Sequence, residues 1–177
     1  MKDDLVLLVV GSGGREFAVA KKLKESPHVK TVYCAPGNVG MQTIGVETVP
    51  IEETDIDGLL EFAKNKKVDW TFVGPENVLC AGITDKFNEA GQKIFGPNQR
   101  AAQLEGSKDY ALRFMSKYNI PTARYETYAS AETCIAGLKN FDYPVVIKED
   151  GLAGGKGVTI AQNQDVAEET IREMFAG

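Results

Sequence analysis

The sequence predicts an α/β protein: a parallel sheet with helices on both faces, followed by a smaller unit that mixes strands and helices. Three observations carry this expectation. Apolar strand-like runs alternate with amphipathic helical stretches up to Pro97. The first run, Leu5 to Val10, is continuously apolar, as a central parallel strand buried on both faces must be. After Pro97 a long helical stretch interrupts the alternation, and the strands beyond it flank a glycine-rich loop.

Taken in order, Glu16 to Glu25 reads as a helix with Phe17, Ala20 and Leu23 on one face. Val29 to Ala35 reads as the second strand, closed by Pro36-Gly37-Asn38, and Val46 to Ile51 as a short third. Asp55 is suited to cap a helix whose inner face is Ile56, Leu59, Leu60 and Ala63. Val68 to Val73 is the next strand, ended by Gly74-Pro75-Glu76. Asn77 to Ala90 follows as a helix with Gly91 at its C-terminal end, then Lys93 to Phe95 as a last short strand. Asn98 to Tyr118 reads as one helical stretch with a weak point at Gly106, stopping before Ile120-Pro121. Arg124 to Tyr128 is expected as a strand and Ser130 to Asn140 as a helix. Tyr143 to Lys148 and Val158 to Ala161 are expected as strands, and Val166 to Phe175 as a helix. Asp165 and Glu168 have the spacing of a cap and its capping-box partner. The domains expected are 1–100, a linker helix over 101–122, and 123–177.

Bulk properties exclude several classes. At 177 residues, 43% hydrophobic and 25% charged, the chain has the composition of a soluble globular protein. A net charge of −5 offers no basic field for nucleic acid or a membrane surface, so neither is expected as a partner. No apolar run approaches the ~18 residues of a membrane span, and the acidic N-terminus is unlike a signal peptide. Cys34, Cys80 and Cys134 are widely spaced and odd in number, which reads as thiols in a reducing cytoplasm. The lone His28 follows Pro27 in a turn and has no partners for a zinc site.

Two glycine-rich loops carry the chemistry. Lys148-Glu149-Asp150-Gly151-Leu152-Ala153-Gly154-Gly155-Lys156-Gly157 joins two strands, which suits a phosphate flap or a flexible hairpin turn. It fails the Walker pattern, because only three residues separate Gly151 from Gly155-Lys156 and the chain continues as a strand. Gly11-Ser12-Gly13-Gly14-Arg15-Glu16 follows the first strand and opens the first helix, where a doubly wound fold binds phosphate. Glu16 stands where the dinucleotide fingerprint needs glycine, and Tyr33-Cys34-Ala35-Pro36 lacks the acidic residue for a ribose. What remains suits a single phosphate held by amides from Ser12 to Gly14 with Arg15, or a tight turn with a surface Arg-Glu pair. Glu76 should face the same edge, placed to bind sugar hydroxyls or an amine, or to cap the next helix. Asn38 ends the second strand in the equivalent place, as a ligand or a left-handed turn residue.

These segments occur in one order along the chain with Lys93-Ile94-Phe95-Gly96-Pro97 and Leu104-Glu105-Gly106-Ser107-Lys108. In that order the chain resembles the glycinamide ribonucleotide synthetase (phosphoribosylamine–glycine ligase) family of the ATP-grasp superfamily, over nearly its whole length. The resemblance implies a Rossmann-like pre-ATP-grasp domain followed by a small ATP-grasp lid subdomain. It implies an ATP-dependent carbon–nitrogen ligase of purine biosynthesis. ATP would phosphorylate glycine, and the amine of 5-phosphoribosylamine would attack the glycyl phosphate, giving glycinamide ribonucleotide, ADP and phosphate. By the family pattern Ser12, Gly13, Gly14, Arg15, Glu16, Asn38, Gly74, Pro75 and Glu76 would receive phosphoribosylamine. Lys108, Lys148, Gly151, Gly154, Gly155, Lys156 and Gly157 would hold ATP, although Lys108 reads equally as a solvated helix lysine.

The chain departs from the family pattern in three places. Phe17 replaces a usual histidine, so a polar contact is lost or the ring packs. Asn77 to Gly82 lacks the usual proline, and Gly154 replaces an alanine, which should loosen the loop. Family enzymes run to roughly two and a half times this length, as several further domains require. The adenine hinge, the Mg²⁺-binding carboxylates and the glycine site are expected beyond residue 177, so no catalytic or metal-binding residue is assigned. The chain is therefore expected to be a truncated portion, without turnover by itself. Competing readings are a non-catalytic sugar-phosphate or nucleotide-binding module and another ATP-grasp ligase. A dinucleotide-dependent oxidoreductase ranks behind them.

Overall fold

The computed structural model of the chain describes residues 3–176. The outermost residues of the expected domains (1, 2 and 177) lie outside it. The chain divides into two compact units, up to Gln103 and from Leu104 onward.

In the first unit, β1 (Leu5–Gly11), α1 (Gly14–Lys24), β2 (Val29–Pro36), α2 (Val39–Gln42) and β3 (Glu47–Thr48) build one half. The other half is α3 (Ile56–Asn65), β4 (Trp70–Val73), α4 (Glu76–Cys80), α5 (Ile83–Glu89) and β5 (Ile94–Phe95). The five strands are parallel in the order β3-β2-β1-β4-β5. The apolar run of β1 explains the layering. Leu8 and Val10 point into a core with Leu59, Ala63, Val78, Ile83 and Phe87 on one face. Val9 points into a second core with Ala20, Val32, Cys34, Met41 and Val46 on the other. Each fully buried aliphatic side chain contributes roughly 1.5–3 kcal/mol, so a central strand buried on both faces dominates this unit. Phe17 joins the second core, so the ring in the family's histidine position packs.

Strand order reverses beside β1, which leaves a crevice at the carboxyl ends of β1 and β4. Register holds that edge level: Val10 pairs with Ala35 on one side and Val73 on the other. The Gly37 amide then donates to Gly11 O at 3.1 Å, and the Gly74 amide to Val10 O at 3.1 Å. The loops after β1, β2 and β4 therefore open at one edge.

Helix α6 (Gln99–Gly106) leads into the second unit, which contains α7 (Lys108–Lys117), α8 (Ala131–Gly137), a 3₁₀ turn (Leu138–Asn140), β6 (Val145–Lys148), β7 (Val158–Ala161) and α9 (Gln164–Ala176). β6 and β7 form an antiparallel pair. One face packs, through Val145 and Ala161, on Leu138, Ala167 and Ile171.

Several expectations need correction. Residues 124–128 are no strand: the sheet of this unit contains only β6 and β7, so the alternating side chains there have no ladder to join. The stretch from Asn77 to Ala90 breaks into α4 and α5 because Gly82 adopts φ +94°. Asn98 to Tyr118 does break at the weak point read at Gly106, where α6 ends, and the Ser107 hydroxyl caps α7 by accepting from the Tyr110 amide at 3.1 Å. Asp165 lies inside α9, and Asn163 Oδ1 accepts from the Val166 amide at 3.0 Å in the capping role. Asn38 is not left-handed; it is extended at φ −144° and caps α2. The cap at Asp55 forms as read, its carboxylate accepting from the Gly58 amide at 2.9 Å.

Candidate functional site

The first candidate site is the carboxyl edge at β1 and β4. Glu16 is only 4% exposed, although it lies in the first turn of a helix that begins at a loop. Its two oxygens are both engaged: Oε2 accepts from the Gly13 amide at 2.8 Å, and Oε1 from Arg15 Nε at 2.9 Å. Gly11, Gly13 and Gly74 surround it so closely that side chains at these positions would collide with its carboxylate arm. Glu16 therefore ties up the β1 loop and fills the space beside Gly74 of the β4 loop, a supporting role that its place in the motif did not reveal.

Arg15 reaches the other way, with Nη1 donating to Glu76 Oε1 at 2.7 Å. The Glu76 hydrogen bond, then that of Glu16, pushes the Arg15 pKa further above its ordinary value. Arg15 in turn, as the main cause, holds the Glu76 carboxyl below the usual carboxylate range. The pair keeps a cation and an anion side by side, both about half exposed. Asn38 Nδ2 donates to Ser12 O at 2.8 Å, tying the β2 loop to the β1 loop. Thus Ser12, Gly13, Gly14, Arg15, Glu16, Asn38, Gly74, Pro75 and Glu76 share one edge, but the Gly13 amide and Arg15 already have carboxylate partners. Cys34 lies beneath, its thiol donating to Gly11 O at 3.3 Å; burial, aided by the Glu16 charge, pushes its pKa up to about 12. Such a thiol stays protonated and inert.

The second candidate site is the glycine loop and its lysines. Gly151, Gly154 and Gly155 adopt positive φ, and added side chains there would meet nothing within 4 Å. The loop closes on its own base, the Glu149 amide donating to Gly157 O at 2.9 Å and the Lys156 amide to Ala153 O at 3.0 Å. Lys148 ends β6 on the same face as Val146, and the register places Val158 and Ile160 opposite them. Val146, Val158 and Ile160 are all exposed, so an open apolar sheet face adjoins Lys148. Sequence reasoning passed over this face, although the alternation in both strands with an antiparallel register would have found it. Lys108 and Lys148 also line a cavity of about 580 Å³ bounded by residues 122–128, β6 and α9. Lys108 is no free surface lysine: Nζ donates to Gly151 O at 2.7 Å.

Open loop glycines, two lysines and a flat apolar face together fit a nucleoside polyphosphate. Among the described residues there is no cluster of three or more His, Cys, Asp or Glu able to hold a metal ion, and no helix long and apolar enough to cross a membrane.

Known proteins resemble this chain over nearly its whole length. Residues 5–105 match the family described as phosphoribosylglycinamide synthetase, N domain, and residues 106–177 its ATP-grasp (A) domain. Phosphoribosylamine–glycine ligase of Lactococcus lactis subsp. lactis is 50% identical over 171 residues, which are 97% of this chain and 42% of that protein. The ligase of Escherichia coli O6:H1 is likewise 50% identical, over 97% of this chain and 40% of its own length. The crystal structure of the Thermotoga maritima ligase superposes with a TM-score of 0.71 at 33% identity, covering 97% of this chain and 39% of that one. Biotin carboxylase from Campylobacter jejuni shares the fold alone, with a TM-score of 0.75 at 19% identity, over 96% of this chain and 41% of that one. The chain spans about 40% of the length of the curated relatives it matches. With both of its halves matched in order, the chain belongs to the phosphoribosylglycinamide synthetase family.

Proposed function

We propose that this chain contributes the phosphoribosylamine pocket and the ATP-covering loop of a ligase that joins glycine to 5-phosphoribosylamine in the cytoplasm. Three small molecules are its partners: phosphoribosylamine, glycine and ATP. Residues 1–100 serve the sugar phosphate, 101–122 connect, and 123–177 serve the nucleotide. The observation that carries the reading is the Arg15–Glu76 pair at the strand-order reversal, 2.7 Å apart and open to solvent. A phosphoribosylamine has a dianion and an amine, so it needs a cation and an anion at fixed separation. The helix α1 N-terminus and Arg15 suit the phosphate. Glu76 suits the amine or the ribose hydroxyls. Glu16 keeps Arg15 oriented by holding its Nε.

In the second unit, Lys108 and Lys148 balance phosphate charge, and the loop from Gly151 to Gly157 excludes water from the reactive acyl phosphate. Glycine carboxylate takes the terminal phosphoryl group of ATP and ADP leaves. The amine then attacks the glycyl carbonyl carbon and loses a proton, while the carbon–oxygen bond to the phosphoryl group breaks and phosphate leaves with the former carboxylate oxygen of glycine. No cluster of carboxylates suited to Mg²⁺ occurs among the described residues.

Calorimetry with ribose 5-phosphate, ATP and NAD tests the reading on the 177-residue protein. Ribose 5-phosphate should bind, and Arg15→Ala should weaken it by about tenfold or more, the loss of one charged hydrogen-bond partner. Binding of NAD in preference to ribose 5-phosphate and ATP would overturn it.

A further inference from the structure

Asp150 stands between Lys148 and the glycine loop, and its carboxylate lies on the first turn of α7. It accepts from the Lys108 amide at 2.6 Å, the Asp109 amide at 3.2 Å and the Ser107 hydroxyl at 3.0 Å. The adjacent residue is tied to the same helix, because Lys108 Nζ donates to Gly151 O. The loop base thus has two ties of unlike strength. A carboxylate on the first amides of a helix is charge-assisted and favoured by the helix dipole. Desolvation alone would raise the Asp150 pKa, but the Asp109 amide, the Ser107 hydroxyl and neighbouring amides outweigh it and keep the group ionised. A lysine on one neutral carbonyl is replaceable, since an anionic phosphate oxygen is the stronger partner.

We propose that Asp150 is a positioning residue that anchors the base of the glycine loop to the N-terminus of α7, while Lys108 is a releasable tether that nucleotide phosphate draws away from Gly151. The inference rests on the reading of unit two as a nucleotide site. It explains why an aspartate precedes the glycines: without a fixed base, a loop freed from Lys108 would carry Lys156 away from the phosphates, while Lys148 stays in β6. The Glu149–Gly157 hydrogen bond closes the hairpin beneath it, so motion is confined to residues 151–156.

The test combines ATP titration with amide NMR on the wild type, Asp150→Asn and Asp150→Glu. Asp150→Asn should weaken ATP about tenfold through loss of charged hydrogen bonds, while the melting temperature falls by only about a few degrees and the unit stays folded, and Asp150→Glu should recover within about threefold. In the wild type, ATP should shift the Leu152 amide, which follows the released Gly151 carbonyl, while the Lys108 and Asp109 amides stay in place. An Asp150→Asn affinity within about twofold of wild type would overturn the proposal. So would ATP binding that leaves the Leu152 amide unmoved. If the wild type binds no ATP, the nucleotide reading fails. The anchor is then judged by order parameters of residues 151–156, which must fall in Asp150→Asn or the anchor fails too.

Discussion

The two glycine loops use the same residue for opposite reasons. Around the first, crowding decides: a Cβ on Gly11, which also has φ +123°, would stand 2.7 Å from Glu16 Cγ, and one on Gly74 of the adjoining β4 loop would overlap the Glu16 carboxylate. In the middle of the second, backbone conformation decides, with φ +56° at Gly154 and +80° at Gly155 and no neighbours within 4 Å of an added Cβ, and crowding returns only at Gly157 in the loop base. The first loop is a cradle fixed by packing, and the second is a flap held only at its base. The difference matches their proposed duties. A sugar phosphate needs prearranged charges, whereas an acyl phosphate needs a cover that opens and shuts.

The comparison breaks most visibly at Gly74. Gly74→Ala should destabilise the first unit by about 3 kcal/mol, because overpacking against a buried carboxylate leaves neither group room to move. Urea unfolding followed by Trp70 fluorescence measures it. A loss below about 0.5 kcal/mol would mean that the cradle is as pliable as the flap.

How far the sequence reveals this contrast depends on where the constraint is recorded. Local constraints are legible: the unbroken apolar run of β1, the Asp55 cap and the fingerprint failures at Glu16 and Tyr33-Cys34 all follow from neighbouring residues. The break after Gly106 is legible in the same way, whereas the one at Gly82 is masked by helical periodicity on either side. Residues 124–128 mark a different limit. Their alternation is genuine, but a strand exists only with a partner, and partnership is not a local property. The Glu16–Gly74 contact is the extreme case, joining positions far apart in sequence that no spacing rule connects. Asp150 was seen as part of the loop, yet its task depends on the amides of α7.

A sharper version of the comparison removes the peg rather than crowding it. Glu16→Ala should cost about 2 kcal/mol, since it unpairs the Gly13 amide and frees Arg15 from its orienting partner. Restoring bulk with Glu16→Gln should recover part of that stability and little of the ribose 5-phosphate affinity, if Arg15 orientation depends on charge. Equal recovery of both would show that Glu16 acts by shape alone.

The half-exposed Arg15–Glu76 pair should matter less to stability. Exposed ion pairs contribute about 0–1 kcal/mol, so Glu76→Gln should change stability within that range at pH 7. Arg15 lowers the Glu76 pKa in the folded state, so the pair's contribution is present above the unfolded carboxylate value, about 4.3, and fades as pH falls through the lower folded value. Melting curves of wild type and Glu76→Gln should therefore converge as pH is lowered progressively below about 4.3. A gap that stays constant across that acid range would assign the effect to packing rather than charge.

The smallest stability effect is expected in the flap, and its smallness is the point. Gly155→Ala forces a β-carbon into φ +80°, at a local cost of roughly 1 kcal/mol. Because no side chain stands within 4 Å of an added Cβ at Gly155, the loop can relax there into another conformation, and the strain does not reach the core formed by Leu138, Val145 and Ile171. The melting temperature should therefore stay within about 1–2 °C of wild type. The same relaxation disturbs the loop amides proposed to cover the nucleotide, so ATP affinity should fall about fivefold at constant stability. A parallel loss of stability and affinity would show that the loop packs like the first one. Unchanged affinity would show that Gly155 is a hairpin residue with no part in covering the nucleotide.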